Sequence, residues 1–151
     1  MAGLKADNIH IALQTCGLFD RDKFKEKLLP YTDLIFYDFK LFDPDLHQKY
    51  TGRSNALILK NFAELFHCPS VCIIPRVPLI PHFTATVKNL KQIARLLKGA
   101  GCTTYSLLPY NPAGIHKNSA IGKLPAFDLD SRMIGADEEK ELRAIFEREL
   151  S

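Results

Sequence analysis

The feature that most constrains this chain is an alternation, repeated along its length, of short apolar runs with segments of helical periodicity. Residues 9–13, 33–40, 71–77 and 103–108 are rich in β-branched and aromatic side chains and are bounded by polar or turn residues, which is the pattern of strands. Between the first two, residues 20–29 place Phe24, Leu28 and Leu29 on one stripe behind the N-cap acid Asp20. Asp43-Pro44 opens a second helix that stops at Thr51-Gly52, and Ser54 or Asn55 starts a third carrying Ile58, Phe62, Leu65 and Phe66 at helical spacing. Thr84 or Thr86 caps a fourth through Val87, Leu90, Ile93, Ala94 and Leu97, closed by Gly99 and Gly101. Residues 111–131 read as loop, and 137–150 as a charged terminal helix buried through Leu142, Ile145 and Phe146; residues 1–8 carry no periodicity and are given no role. Strand–helix–strand units with short connections imply parallel strands and right-handed crossovers. The layout is βαβαβαβ plus a helix, in the α/β class.

The second strand carries the chemistry. Side chains alternate across a strand, so Asp38 and Lys40 share the face of Leu34 and Phe36, while Ile35, Tyr37 and Phe39 point the other way. A carboxylate and an ammonium at the carboxyl end of such a strand stand where α/β folds hold their ligands. A plain ion pair within the strand accounts for the same residues, and the two readings stay open. Arg76 lies at the carboxyl end of the third strand, within Pro75-Arg76-Val77-Pro78-Leu79-Ile80-Pro81. Three prolines there predict an extended exit loop poor in hydrogen bonds.

The remaining composition narrows the class. At 151 residues the chain has the size of one domain. Its net charge of +3 is small and its Lys and Arg residues are spread out, which argues against nucleic acid as partner. No apolar stretch is long enough to span a membrane and the start lacks a signal-peptide pattern, so the expectation is cytoplasmic. Cys16, Cys68, Cys72 and Cys102 lie mostly in apolar segments and read as free, buried thiols. Cys68 and Cys72 have three residues between them, but Pro75 stands where the third cysteine of a C-x3-C-x2-C run would be. His10 has no partner at metal spacing.

Taken in order, the strand exits read Leu13-Gln14-Thr15-Cys16-Gly17, Tyr37-Asp38-Phe39-Lys40, Arg76-Val77-Pro78-Leu79-Ile80-Pro81 and Leu107-Leu108-Pro109-Tyr110-Asn111. Between them stand His47-x-x-x-Thr51-Gly52 and Asn55-x-x-Ile58-Leu59-x-Asn61. As an ordered set over residues 9–124, these resemble the radical S-adenosylmethionine activating enzymes of glycyl radical enzymes, most of all the pyruvate formate-lyase activating type. The resemblance implies a partial TIM-like (β/α)6 barrel, with helices on its outer face and S-adenosylmethionine at the carboxyl ends of the strands. It implies that Asp38 takes the ribose hydroxyls, that Lys40 lines the same site, and that Arg76 lies near the methionine carboxylate. Thr15 and Asn111 carry over more loosely. Gln14 stands where the family often has an acid that helps hold a cation, and Asn111 stands where it often has a His.

The family's cluster-binding C-x3-C-x2-C loop and its Gly-Gly-Glu segment are absent from these 151 residues. The four strands are therefore expected to be the last four of six, and the chain to be a carboxyl-terminal portion. The intact protein would use a [4Fe–4S] cluster, an electron donor the sequence does not name, and S-adenosylmethionine. With these it would take a hydrogen from a glycine loop of its partner enzyme. This chain alone would hold no cluster, bind S-adenosylmethionine weakly at best and be inactive. Its bare edge at residues 9–13 and its uncovered sheet face are expected to favour self-association. The alternative is a non-catalytic partner-docking or ligand-binding α/β module.

Overall fold

The computed structural model describes residues 1–112 and 133–151; the expected loop, from residue 113 onward, lies outside them. Four parallel strands form one sheet in the order β1-β2-β3-β4, with β1 Ala12–Thr15, β2 Leu34–Asp38, β3 Cys72–Leu79 and β4 Ser106–Pro109. The helices are α1 Ala2–Ala6, α2 Arg21–Lys27, α3 Pro44–Thr51, α4 Ala56–Leu65, α5 Val87–Gly99 and α6 Ala136–Leu150, with a 3-10 turn at Leu29–Tyr31. None of them is long and apolar enough to cross a membrane.

The register places Ile35 beside Leu13 and Ile73, and Asp38 beside Arg76. One face of the sheet is the core: Ile35, Tyr37, Phe39, Ile73, Val77, Leu79 and Leu107 are buried with Phe24, Ile58, Phe62, Leu65, Leu90, Ile93, Leu97, Leu142 and Phe146 from the helices. The other face bears Ala12 and Gln14, exposed, and Leu34, Phe36, Asp38, Ile74, Arg76, Pro78 and Leu108, half-buried. The alternation expected of the second strand therefore holds. Its second face, however, is only half-covered by the described residues.

Several boundaries differ from the sequence reading. β1 begins three residues late because the Asp33 carboxylate, not a strand, accepts the Ile11 N–H, at 2.8 Å. Asp33 also pairs with Lys5 of α1, so the first residues have a structural role after all. The Ile11 N–H, and then Lys5, hold the Asp33 carboxyl below the ordinary carboxylate range. Leu28 is exposed, not part of the α2 stripe.

β3 runs through Pro75 and Pro78 rather than stopping before an exit loop. The carbonyl of Arg76 points toward β2, accepting from Phe39 N at 2.8 Å. By alternation the backbone of Pro75 faces β4 one residue before β4 begins, and that of Pro78 faces β2 beyond its last residue. Each missing N–H falls where no ladder partner stands, so neither proline breaks the strand.

Three buried asparagines fix the loops that leave the strands. Asn61 donates to the carbonyls of Gly17 and Phe19, at 2.8 and 3.0 Å. Asn55 does not cap α4 with its side chain but donates to Leu41 and Phe42, at 3.0 and 2.7 Å. Asn89 donates to Lys40 and Thr84, both at 2.9 Å, and accepts from Phe42 N at 2.8 Å. The His47-x-x-x-Thr51-Gly52 segment is a helix end of the same kind: His47 Nδ1 donates to the Arg53 carbonyl at 2.6 Å, and Gly52 takes φ +74°.

Gly17 is required by contact as well as by backbone. At φ +80° a Cβ would stand 1.8 Å from the Tyr37 hydroxyl, which donates to the Ile58 carbonyl at 2.6 Å. Gly17→Ala is expected to lower stability by about 3 kcal/mol, from left-handed backbone plus overpacking. Gly52→Ala, with open space around its Cβ, should cost only about 1 kcal/mol. Urea unfolding of the two variants checks the difference.

Candidate functional site

The carboxyl ends of β1 and β2 and the middle of β3 bring three polar side chains together on the face that the helices do not cover; Arg76, expected at the end of its strand, lies mid-strand because β3 continues to Leu79. Arg76 Nε donates to Asp38 Oδ1 at 2.8 Å. Arg76 Nη2 lies 2.8 Å from the same oxygen, within ion-pair reach, yet off the direction of a hydrogen bond, and it is buried with no other partner. From the opposite side, Gln14 Nε2 donates to Asp38 Oδ2 at 3.1 Å. The guanidinium also lies over the Phe36 ring, its carbon 4.8 Å from the centroid, a cation–π placement that holds its plane. The Arg76 and Asp38 side chains are 14% and 19% exposed, enough to strengthen the pair while leaving one side open to a ligand.

Each expected residue can now be placed. Asp38 and Arg76 meet directly. The ion pair of Asp38 crosses strands to Arg76 and does not run along the strand to Lys40. Lys40, exposed and two residues beyond Asp38, makes no ion pair among the described residues. It stands at the rim of a cleft of about 260 Å³ walled by Leu41, Tyr50, Pro78, Ile80 and Phe83. Thr15 is at the right end of β1 but in register with Tyr37, on the helical face, where its hydroxyl accepts from Gly17 N at 3.0 Å. The structure thus gives Thr15 a turn-shaping position away from the trio. Asn111 is exposed, two residues past β4. A larger cavity, about 500 Å³ between the loop at Pro81–Thr86 and Met133–Glu138, touches none of the strand-end charges, so the chemistry lies elsewhere.

The cysteines depart from the expectation of buried thiols. Only Cys102 is buried; Cys16 and Cys68 are half-buried and Cys72 is exposed. Cys72 has the same strand parity as Arg76, so its side chain falls on the uncovered face. The Ser70 hydroxyl beside Cys68 holds that thiol below its ordinary range. No three metal-ligating side chains converge among the described residues, so these residues do not fit a [4Fe–4S] cluster. The donor set does fit S-adenosylmethionine: a carboxylate for hydroxyls, and a guanidinium on a side chain 14% exposed for a carboxylate.

Gln14 was legible in sequence only as a departure from a family pattern, and its contact with Asp38 depends on parallel pairing. Asn55 and Asn61 stood in the sequence as parts of a motif and Asn89 as an ordinary helix residue, none of them as a tie to the loops. Asparagine on the buried side of a helix was the signal available.

No protein-family model matches the sequence. The chain is 40% identical over 121 residues to the trans-4-hydroxy-L-proline dehydratase activating enzyme of Clostridioides difficile, covering 79% of this chain and 39% of that protein. It is 36% identical over 122 residues to an isethionate sulfite-lyase activating enzyme of Desulfovibrio desulfuricans, covering 79% of this chain and 38% of that protein. A crystal structure of a domain of pyruvate-formate lyase-activating enzyme from Bacteroides vulgatus superposes with a TM-score of 0.73 at 22% identity, covering 96% of this chain and 80% of that one. The fold is therefore the α/β fold of that domain, matching a partial TIM-like barrel. The homologues of this chain are glycyl radical enzyme activating enzymes, of the radical S-adenosylmethionine class. The chain spans about two fifths of the length of the curated relatives it matches.

Removing one member of the mostly buried pair should expose its cost. Asp38→Ala leaves the Arg76 guanidinium without its carboxylate, with an expected loss of about 2 kcal/mol. The Asp38→Ala, Arg76→Met double variant is expected to lose less than the sum of the two single changes by about 1 kcal/mol or more. Chemical denaturation of the four proteins measures it; additive losses would mean the pair is not coupled.

Proposed function

We propose that this chain supplies the S-adenosylmethionine-binding wall of an activating enzyme that places a radical on a glycyl radical enzyme. The observation that carries the reading is the Asp38–Arg76 pair on the uncovered face, at the end of β2 and the middle of β3. Asp38 accepts from the vicinal ribose hydroxyls, because its carboxylate keeps lone pairs beyond those used by Gln14 and Arg76. Arg76 pairs with the methionine carboxylate. Lys40 adds a second positive charge at the rim, and the apolar cleft beside it offers a wall to the nucleobase. These residues orient the nucleoside and the amino-acid end relative to each other.

In the whole protein a [4Fe–4S] cluster, when bound, would supply the electron that cleaves the sulfonium. The partner proposed is a glycyl radical enzyme presenting a glycine loop. The strand-exit motifs resemble most of all the pyruvate formate-lyase activating type and leave the partner open between pyruvate formate-lyase and a related enzyme, and the relatives' names span a dehydratase, a sulfite-lyase and an indoleacetate decarboxylase. The proposal therefore stands at the level of the class.

Titration of the chain with S-adenosylmethionine, followed by protein NMR, tests the reading. Binding on the order of millimolar is expected, weakened about tenfold by Asp38→Asn, which keeps an acceptor for Arg76 but removes the charge. Unchanged affinity in that variant would remove Asp38 from the site, and the absence of any saturable response would overturn the reading.

A further inference from the structure

The ladder between β2 and β3 ends at the bond from Phe39 N to the Arg76 carbonyl, at 2.8 Å. Beyond it the two chains part and leave the cleft of about 260 Å³ between them. One wall is Lys40, Leu41 and Tyr50 from the exit of β2; the other is Pro78, Ile80 and Thr84 from the end of β3 and its turn. This volume falls below the roughly 300–1,000 Å³ of a pocket for a whole ligand, so the cleft suits one part of a ligand. Its threonine hydroxyls donate to backbone, Thr51 to the His47 carbonyl at 2.8 Å and Thr84 to the Pro78 carbonyl. What the walls then offer is apolar surface, which suits a flat ring.

Asn89 ties the two walls together from behind. Its side-chain nitrogen donates to the Lys40 carbonyl on one wall and to the Thr84 carbonyl on the other, both at 2.9 Å. Its oxygen accepts from Phe42 N at 2.8 Å, so both donor hydrogens and the acceptor are used. Thr84 moves with its wall, because its hydroxyl also accepts from Ile80 N at 2.8 Å. Asn89 is 4% exposed and is not itself part of the cleft lining. The other described contacts across the gap are the edge-on packing of Tyr50 on Phe83, with centroids 4.9 Å apart, and the exposed Lys88–Asp43 pair at 3.4 Å. These join side chains and leave the backbone spacing to Asn89.

We propose that Asn89 is a positioning residue that sets the width of this cleft and so pre-forms it for the nucleobase of the ligand. A further ladder bond would draw the chains to strand spacing and close the cleft. Without any tie the walls would have to be ordered at the moment of binding, which costs affinity. This inference rests on the reading of the site as one for S-adenosylmethionine.

The test compares Asn89→Asp, which keeps the acceptor for Phe42 N and removes both donors, with Asn61→Leu, which cuts an equally buried amide tie away from the cleft. Both variants should lower Tm. Titration with S-adenosylmethionine, followed by protein NMR at a temperature where all variants are folded, should show affinity about fivefold to tenfold weaker in Asn89→Asp and within about twofold of wild type in Asn61→Leu. Adenosine should show the same pattern, because the loss falls on the nucleoside half. A merely structural asparagine would make the two variants alike. Wild-type affinity in Asn89→Asp, or an equal loss in Asn61→Leu, overturns the role of Asn89, and the functional reading stands so long as Asp38→Asn still weakens binding. Affinity indifferent to Asp38→Asn overturns the functional reading while the two asparagine variants still decide the role of Asn89. No saturable binding by the wild-type chain overturns both.

Discussion

The site depends on register. Asp38 and Arg76 face each other because β2 and β3 run parallel with Asp38 beside Arg76, and side chains on a strand alternate with a period of two. A slip of one residue would send the guanidinium into the helical core and present Pro75 or Val77 to the carboxylate. The core itself prevents that slip. Ile35 and Tyr37 of β2 and Ile73 and Val77 of β3 are buried on the helical face, and the pair on whichever strand shifted would have to move to the uncovered face. The hydrophobic pattern that builds the sheet thus also aims the charges.

The second constraint acts on the loops. A strand delivers a functional group only if the chain beyond it leaves in a fixed direction. Here the direction is set by polar groups buried under the strand ends. Asn61 fixes the exit of β1, Asn55 and Asn89 fix that of β2, and Asn89 with Thr84 fixes the turn after β3. Buried amides are costly unless satisfied, and these are satisfied by loop carbonyls that would otherwise lack partners. Asn89 bridges two exits, so the end of β2, which carries Asp38, and the turn after β3, the strand that carries Arg76, are tied to one side chain. The scaffold holds the pair from below while its upper side stays open.

How much of this could be read from the chain divides along physical lines. The strands and helices were legible because hydrophobic period is a local signal, and Asp20, Asp43 and Thr86 cap their helices as their positions imply. The shared face of Asp38 and Lys40 followed from alternation alone. The choice between an intrastrand and a cross-strand ion pair did not, because it turns on register between segments 38 residues apart. The path of β3 through Pro75 and Pro78 was misread for the same reason: a proline is tolerated or not according to whether a partner carbonyl stands opposite. Cys72 was misread because its burial depends on which face of the sheet the helices cover. Gln14 and the asparagines act at long range through amides, and no local pattern marks an amide that binds a distant strand.

The central claim is that a nucleoside-bearing zwitterion binds on the uncovered face, where the ends of β1, β2 and β3 meet. Mapping of backbone amide shifts along a titration with S-adenosylmethionine tests it most directly. The account predicts that the saturable changes cluster at residues 14–17, 36–41 and 76–80 and spare the helical face. Changes centred on the outer helices, or on the cavity between Pro81–Thr86 and Met133–Glu138, would contradict it.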